Sequence, residues 1–208
     1  MIKIENTETF GWESAIRGMR NPMNSWDKSD SRWDAFGEAD GYSIGENDLA
    51  LMKKLSNAGS DHGKFLRMIN VSCDITAPLY WWKEYDTYKV GTVANSCSTM
   101  HKVHAKEFSI DDFSHEHLNV YNRAILEAYI HTINADRREF VETKDKEYWW
   151  QIIQMLPASY NQKRTVQLNY QVLKNIYFAR RNHKLDEWHT FCEWIEELPY
   201  FKEVCIND

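Results

Sequence analysis

Asn169-Tyr-Gln-Val-Leu-Lys-Asn-Ile-Tyr-Phe-Ala-Arg180 is the stretch around which the rest of the chain falls into place. It reads as one helix. Asn169, Leu173, Ile176 and Arg180 are spaced four, three and four residues apart, so they share one stripe of that helix. Leu173 and Ile176, in the middle, would face packed protein. The Asn169 amide and the Arg180 guanidinium, at the ends, would reach into something enclosed. Burying a guanidinium is costly unless it finds a partner. Two partners stay open for Arg180: an internal carboxylate or an anionic ligand. Asn169 is also placed to cap the helix with its side chain.

A length of 208 residues fits a single domain, 1–208, with a sizeable core. The formal charge of −6 argues against a nucleic-acid partner, which usually calls for a basic face. Nine Trp and eleven Tyr bury large areas or stack on flat ligands. No apolar run is long enough to span a bilayer, which sets a membrane partner aside, and the start Met1-Ile-Lys-Ile-Glu-Asn is no signal peptide. Cys73, Cys97, Cys192 and Cys205 form no Cys-x-x-Cys pair and read as reduced thiols of a cytoplasmic protein.

Working outward from the helix, Ile2–Glu5 reads as a short edge strand, and Thr9–Arg20 as a helix with Trp12, Ile16 and Met19 on its apolar face. Asn21-Pro22 ends that helix. Residues 21–46 read as one long loop, kept ordered by Trp26, Trp33 and Phe36. Glu46–Ala58 reads as a helix capped by Gly59, residues 60–63 as a turn, and Phe65–Ile75 as a strand. Thr76 and Pro78 look like the start of a helix reaching Tyr88, and Val90–Thr99 like a loop. Further helices are expected at Ser114–Asn134, Asp145–Met155 and Leu185–Leu198, and a strand at Asn161–Leu168. The expected class is α/β in the α+β sense, a small, mostly antiparallel sheet flanked by helices.

This order of elements resembles the flavin-dependent thymidylate synthase family over most of the chain. Ala15-Ile-Arg-Gly-Met-Arg20 is similar to the family's first-helix Ala-Val-Arg-Ala-Ala-Arg, and Ala58-Gly59-Ser-Asp-His62 to its Gly-His-x-Ser/Thr turn. Thr76-Ala77-Pro78-Leu79-Tyr80 resembles its strand-to-helix start, and Leu156-Pro157 a family Leu-Pro. Asn169–Arg180 resembles the helix Asn-x-Arg-x-x-x-Asn-x-x-x-x-Arg. The family signature itself, Arg-His-Arg, seven residues, then Ser, with Arg two further on, is not kept. Its positions hold Thr87-Tyr88-Lys89, Cys97 and Thr99. Ile153 and Gln171 replace two further family arginines. Lys89 is a point charge without a bidentate fork.

The resemblance implies FAD, a dUMP-like pyrimidine nucleotide and a homotetramer with sites between subunits. If the family reaction is kept, it also implies NADPH, methylene-tetrahydrofolate and transfer of a one-carbon unit to the uracil ring, an FAD-dependent methyltransferase activity in nucleotide biosynthesis. It places Arg180, Ser96, Ser98 and Thr99 on the nucleotide, and His62, Tyr88, Asn169 and Asn175 on the flavin. Cys97 and Lys89 are the candidates for catalysis: a thiol can add to a pyrimidine ring when its pKa is lowered, and Lys89 and His101 are candidates for lowering it. The ordinary alternatives are a small buried Cys97, a hydrogen-bonded turn histidine at His62, and a solvated Lys184. The alternative function is a non-catalytic homotetrameric nucleotide-binding or interaction protein of the same fold. An unrelated helical interaction protein is the third possibility. His101/His104 and His115/His117 lack Cys or carboxylate companions at zinc spacing and read as surface histidines, so no metal is expected.

Overall fold

The computed structural model describes residues 2–206. The chain runs β1 (Lys3–Phe10), α1 (Trp12–Arg20), β2 (Arg32–Trp33), β3 (Tyr42–Ser43), α2 (Glu46–Asn57), β4 (Asn70–Pro78), α3 (Leu79–Tyr85) and β5 (Val93–Ser96). It continues with α4 (Val120–Thr143), α5 (Lys146–Met155), β6 (Asn161–Asn169), α6 (Tyr170–Arg180), α7 (Asp186–Glu196) and α8 (Phe201–Cys205). Four strands form one sheet in the order β1-β4-β6-β5, and β2 and β3 form a separate hairpin. β4 and β6 run antiparallel: the Leu79 amide donates to the Tyr160 carbonyl past one end, and the Tyr170 amide to the Ile69 carbonyl past the other. The expected α+β class with a small antiparallel sheet is what the chain adopts.

β4 buries Val71, Cys73, Ile75 and Ala77, every second residue, which is the signature of a half-buried strand. This alternation carries the strand through Thr76 to Pro78, so Thr76 is a strand residue and not the expected helix cap. The start expected at Phe65 is instead a 3-10 turn over Gly63–Arg67. Between β1 and α1 the chain turns at Gly11, whose φ is +90°. A Cβ there would lie 2.1 Å from the Met68 carbonyl oxygen, so only glycine allows this approach.

The chain divides into two compact units. The first holds Ile75–Thr87 and Asn95–Arg164 together with the start of the chain. Its core is Val103, Phe108, Phe113, Ile133 and Ile152, flanked by Tyr129, Phe140 and Tyr160 of the same unit. Helix α4 starts after an Asn119 cap whose side chain accepts from the Asn122 amide, and it runs nine residues beyond the expected end at Asn134. The second unit holds Ile4–Asp74, Tyr88–Ala94 and residues 165–206. There Trp12 packs edge-on against Tyr170 at 5.2 Å, and Tyr170 meets Phe201 in a tilted contact at 5.3 Å. Burying each such side chain stabilises the fold by roughly 1.5–3 kcal/mol. The Tyr170 hydroxyl donates to the Pro199 carbonyl at 2.7 Å, so its polar end is satisfied.

The second unit also contains a buried ion pair. Arg20 Nε lies 2.6 Å from Asp48 Oδ1, with side-chain exposures of 4% and 0%. The other Asp48 oxygen accepts from the Ser29 and Ser31 hydroxyls and from the Asp30 and Ser31 amides. Residues 21–46 are therefore not one long loop: this knot ties them down to α1 and α2, and the β2–β3 hairpin gives them regular structure.

Candidate functional site

α6 forms as the spacing implies. Asn169 caps it, its Oδ1 accepting from the Val172 amide at 3.1 Å, and Leu173 and Ile176 are fully buried. Arg180 ends the helix, half-buried. Its Nε donates to the Tyr88 hydroxyl at 2.8 Å. Its guanidinium carbon lies 4.9 Å from the Trp188 ring centroid and 5.6 Å from that of Tyr88. The two rings meet edge-on at 6.2 Å. A guanidinium over such faces gains about 0.5–2 kcal/mol and is held in one place. The result is a fixed cation in an aromatic frame, supplied by the end of α6, the start of α7 and the segment after α3.

Tyr88 belongs to a tight turn in which the Thr92 hydroxyl donates to the Tyr88 carbonyl. Gly91 in this turn has φ +78°, and a Cβ there would sit 3.0 Å from Asn169 Nδ2. Asn169 thus serves α6 with its oxygen and lies against the turn with its amide nitrogen. Tyr88, Lys89, Asn169, Asn175, Arg180 and His62 all belong to the second unit. Lys89, His62 and Asn175 are exposed. Asn175 Oδ1 accepts from Gln171 Nε2 at 3.1 Å.

The other sequence candidates fall in the first unit. Ser96 ends β5, and Cys97 is exposed, its amide donating to the Lys163 carbonyl and its own carbonyl accepting from the Gln162 side chain. The Ser98 hydroxyl accepts from the Met100 and His101 amides and shares a hydrogen bond with His101 Nδ1 at 3.0 Å. His101 is thereby engaged with Ser98. Thr99 is half-buried. Of the four expected surface histidines, two are not fully exposed: the His104 ring packs edge-on against Phe140 at 4.7 Å, and His115 Nδ1 hydrogen-bonds the Phe113 carbonyl at 2.8 Å.

Cys73, Cys192 and Cys205 are buried. Burial, reinforced by Asp74, pushes the Cys73 thiol up to about 12. Burial, with Glu196 and Glu193, pushes Cys192 up to about 11. Burial raises Cys205 to about 12 against the opposing influence of Lys174 and Ser56. Three of the four thiols are therefore inert, and Cys97 is the accessible one.

Sequence reasoning missed Arg164. Its guanidinium carbon stacks 4.2 Å from the Trp82 ring centroid, its Nε donates to Gln162, and its Nη1 pairs with Asp86 at 2.7 Å. Arg164 stands in β6, where nothing local distinguishes it from a solvated lysine or arginine. The Trp-Trp dipeptide at Trp81 and Trp82 was the only hint of a stacking surface.

This architecture is that of the flavin-dependent thymidylate synthases. A solved structure of the enzyme ThyX from Helicobacter pylori, complexed with FAD and dUMP, superposes with a TM-score of 0.70 over 98% of this chain and 98% of that chain, at 17% identity. A second Helicobacter pylori ThyX structure with FAD and dUMP gives a TM-score of 0.71 over 99% of this chain and 98% of that one, at 16% identity. No protein-family profile matches the chain, and no curated protein matches it. At this identity the likeness establishes the fold, and it sets aside an unrelated helical protein. Among the described residues no helix is long and apolar enough to cross a membrane.

Proposed function

We propose that this protein is a diverged flavin-dependent thymidylate synthase-like flavoprotein that binds FAD and a dUMP-like pyrimidine nucleotide. One observation supports this above the others: the fold matches ThyX structures holding FAD and dUMP from end to end, and α6 keeps Asn169, Asn175 and Arg180 at the family spacing. Arg180, held in place by Trp188 and Tyr88, would take the nucleotide's anionic group. Ser96, Ser98 and Thr99, in the first unit, would offer hydroxyl and backbone donors to a nucleotide. Asn169, Asn175, His62 and Tyr88 would serve the flavin. The exposed Asn175 amide, the Asn169 amide nitrogen, the His62 imidazole and the Lys89 ammonium supply the kind of donors and acceptors that an isoalloxazine edge and a diphosphate need, so the donor set fits FAD. When bound, FAD supplies hydride-transfer chemistry. Cys97, accessible and at the end of β5, is the candidate nucleophile toward the pyrimidine ring, and Lys89 is a separate catalytic candidate. NADPH and methylene-tetrahydrofolate follow only if the one-carbon transfer is kept. We place the protein in the cytoplasm as one domain and a homotetramer with intersubunit sites; light scattering at four times the chain mass would support the assembly.

Replacing Arg180 with Ala should weaken dUMP binding to the FAD-loaded protein by about tenfold to a hundredfold, the range for a hydrogen-bonded charge. Calorimetry measures this, and unchanged affinity would remove Arg180 from the nucleotide site. A non-catalytic member of the fold is the second possibility, and Tyr88 favours it. In place of the signature histidine, Tyr88 takes a hydrogen bond from Arg180 Nε, which ties up part of the guanidinium. Formation of dTMP from dUMP with FAD, NADPH and methylene-tetrahydrofolate separates the two.

A further inference from the structure

A groove in the second unit, unrelated to the residues assigned above, combines three features that a bound small molecule would use. Its volume is about 310 Å³. That is at the low end for small-molecule pockets, so it suits one ring or a fused pair with a substituent and is too small for a dinucleotide. The wall is aromatic. Trp26 is 50% exposed, yet its indole N–H is already donated to Asn21 Oδ1 at 2.8 Å, which fixes the ring while leaving a face open. The segment carrying it is anchored by the Ser29 and Ser31 bonds to buried Asp48. A stacking surface held this way loses little entropy on binding.

Tyr42 lines the floor. It is only 4% exposed, and its hydroxyl has no hydrogen-bond partner among the described residues. Its hydroxyl opens onto the groove and is free to hydrogen-bond to a molecule bound there. Its ring is held edge-on against Trp33 at 5.1 Å. Arg17 lines the same groove, exposed, with no hydrogen-bond or ion-pair partner among the described residues. Nearby Arg20 is already neutralised by Asp48, so Arg17 is the cation left for a ligand. Glu13, one turn before it, accepts from Trp33 Nε1 at 3.2 Å and keeps acceptor capacity for an N–H.

We propose that this groove binds a planar amino-substituted heteroaromatic carrying one anionic group. The ring stacks on Trp26, the anion meets Arg17 with the Tyr42 hydroxyl, and the ring amine donates to Glu13. The anion could be a phosphate or a carboxylate, and two probe pairs distinguish them: AMP against adenosine, and 6-aminonicotinate against 6-aminonicotinamide.

Calorimetry on the purified protein should show the charged member of at least one pair binding roughly tenfold more tightly than its neutral partner, as expected for a charge-assisted contact. Preference in the AMP pair alone assigns a phosphate ligand, and preference in the other pair alone a carboxylate. Arg17→Gln, a change at an exposed side chain, should erase the preference without changing the melting temperature or flavin retention. Trp26→Leu should weaken both members of the pair. No preference in either pair, or a preference that survives Arg17→Gln, would overturn the assignment; in particular, AMP binding that ignores Arg17 belongs to another site.

Discussion

Asp48 shows how much one residue can hold together. Burial alone would raise its carboxyl pKa, but hydrogen bonds from Ser31, Ser29 and Arg20 outweigh that and leave it below the ordinary 3.8. A carboxylate with a depressed folded pKa contributes stability that is present above its unfolded value and lost as pH falls through the folded one. Acid unfolding should therefore steepen below about pH 3.8, and Asp48→Asn should remove that component. The same substitution leaves Arg20 charged and buried, so chemical denaturation should show a loss of about 3–5 kcal/mol. Thiol chemistry gives a second check at this scale. Native protein should take up one alkylating label, at Cys97, and Cys97→Ser should take up none until unfolded; labelling of Cys73, Cys192 or Cys205 in the folded state would contradict their burial. The sequence indicated Arg180 because its place on an apolar stripe is a local pattern. It could not indicate that Tyr88 and Trp188 would hold it, since those contacts depend on tertiary approach.

At the scale of elements, α6 depends on its cap and on the turn against it. Asn169→Ala should cost about 1 kcal/mol, the usual loss of an N-cap. Gly91→Ala would place a side chain in left-handed backbone and 3.0 Å from the Asn169 amide, costing roughly a further 1–2 kcal/mol in its own right. Both are measurable by urea unfolding, and a neutral Gly91→Ala would mean that the turn does not lie against the helix as described. What could be read in advance follows the strength of local periodicity. α1, α2, α5, β6 and α6 carry clear apolar stripes or alternation and were legible to within a few residues. β5 was not, because all four residues of Val93–Ser96 are exposed and only Val93 is a β-branched apolar residue, so an edge strand there leaves no alternating hydrophobic signature. α8 was not, because its five residues follow Pro199 and are too few to show a period. The stop of α4 was misplaced because a helix with only Ile133 and Asn134 buried has little stripe to follow.

For the whole molecule, class and order of elements were legible because several weak patterns recur in one sequence order, while the site was only partly so. Residues that keep the family spacing, Asn169, Asn175 and Arg180, lie on a single helix whose period reveals them. Residues that replace the signature, Tyr88, Lys89 and Cys97, carry no local mark of their new partners, and the fold now shows Tyr88 under Arg180. What the structure shows there is an aromatic frame of Tyr88 and Trp188 around one arginine, Arg180. Whether that frame still serves a flavoprotein is the central question. It is tested most directly by the visible absorption spectrum of freshly purified protein, taken before and after FAD is added and the excess removed. A flavin band that stays with the protein, shifts when dUMP is added, and loses that shift in Arg180→Ala is the expected result. A colourless protein that releases all added FAD would contradict the account.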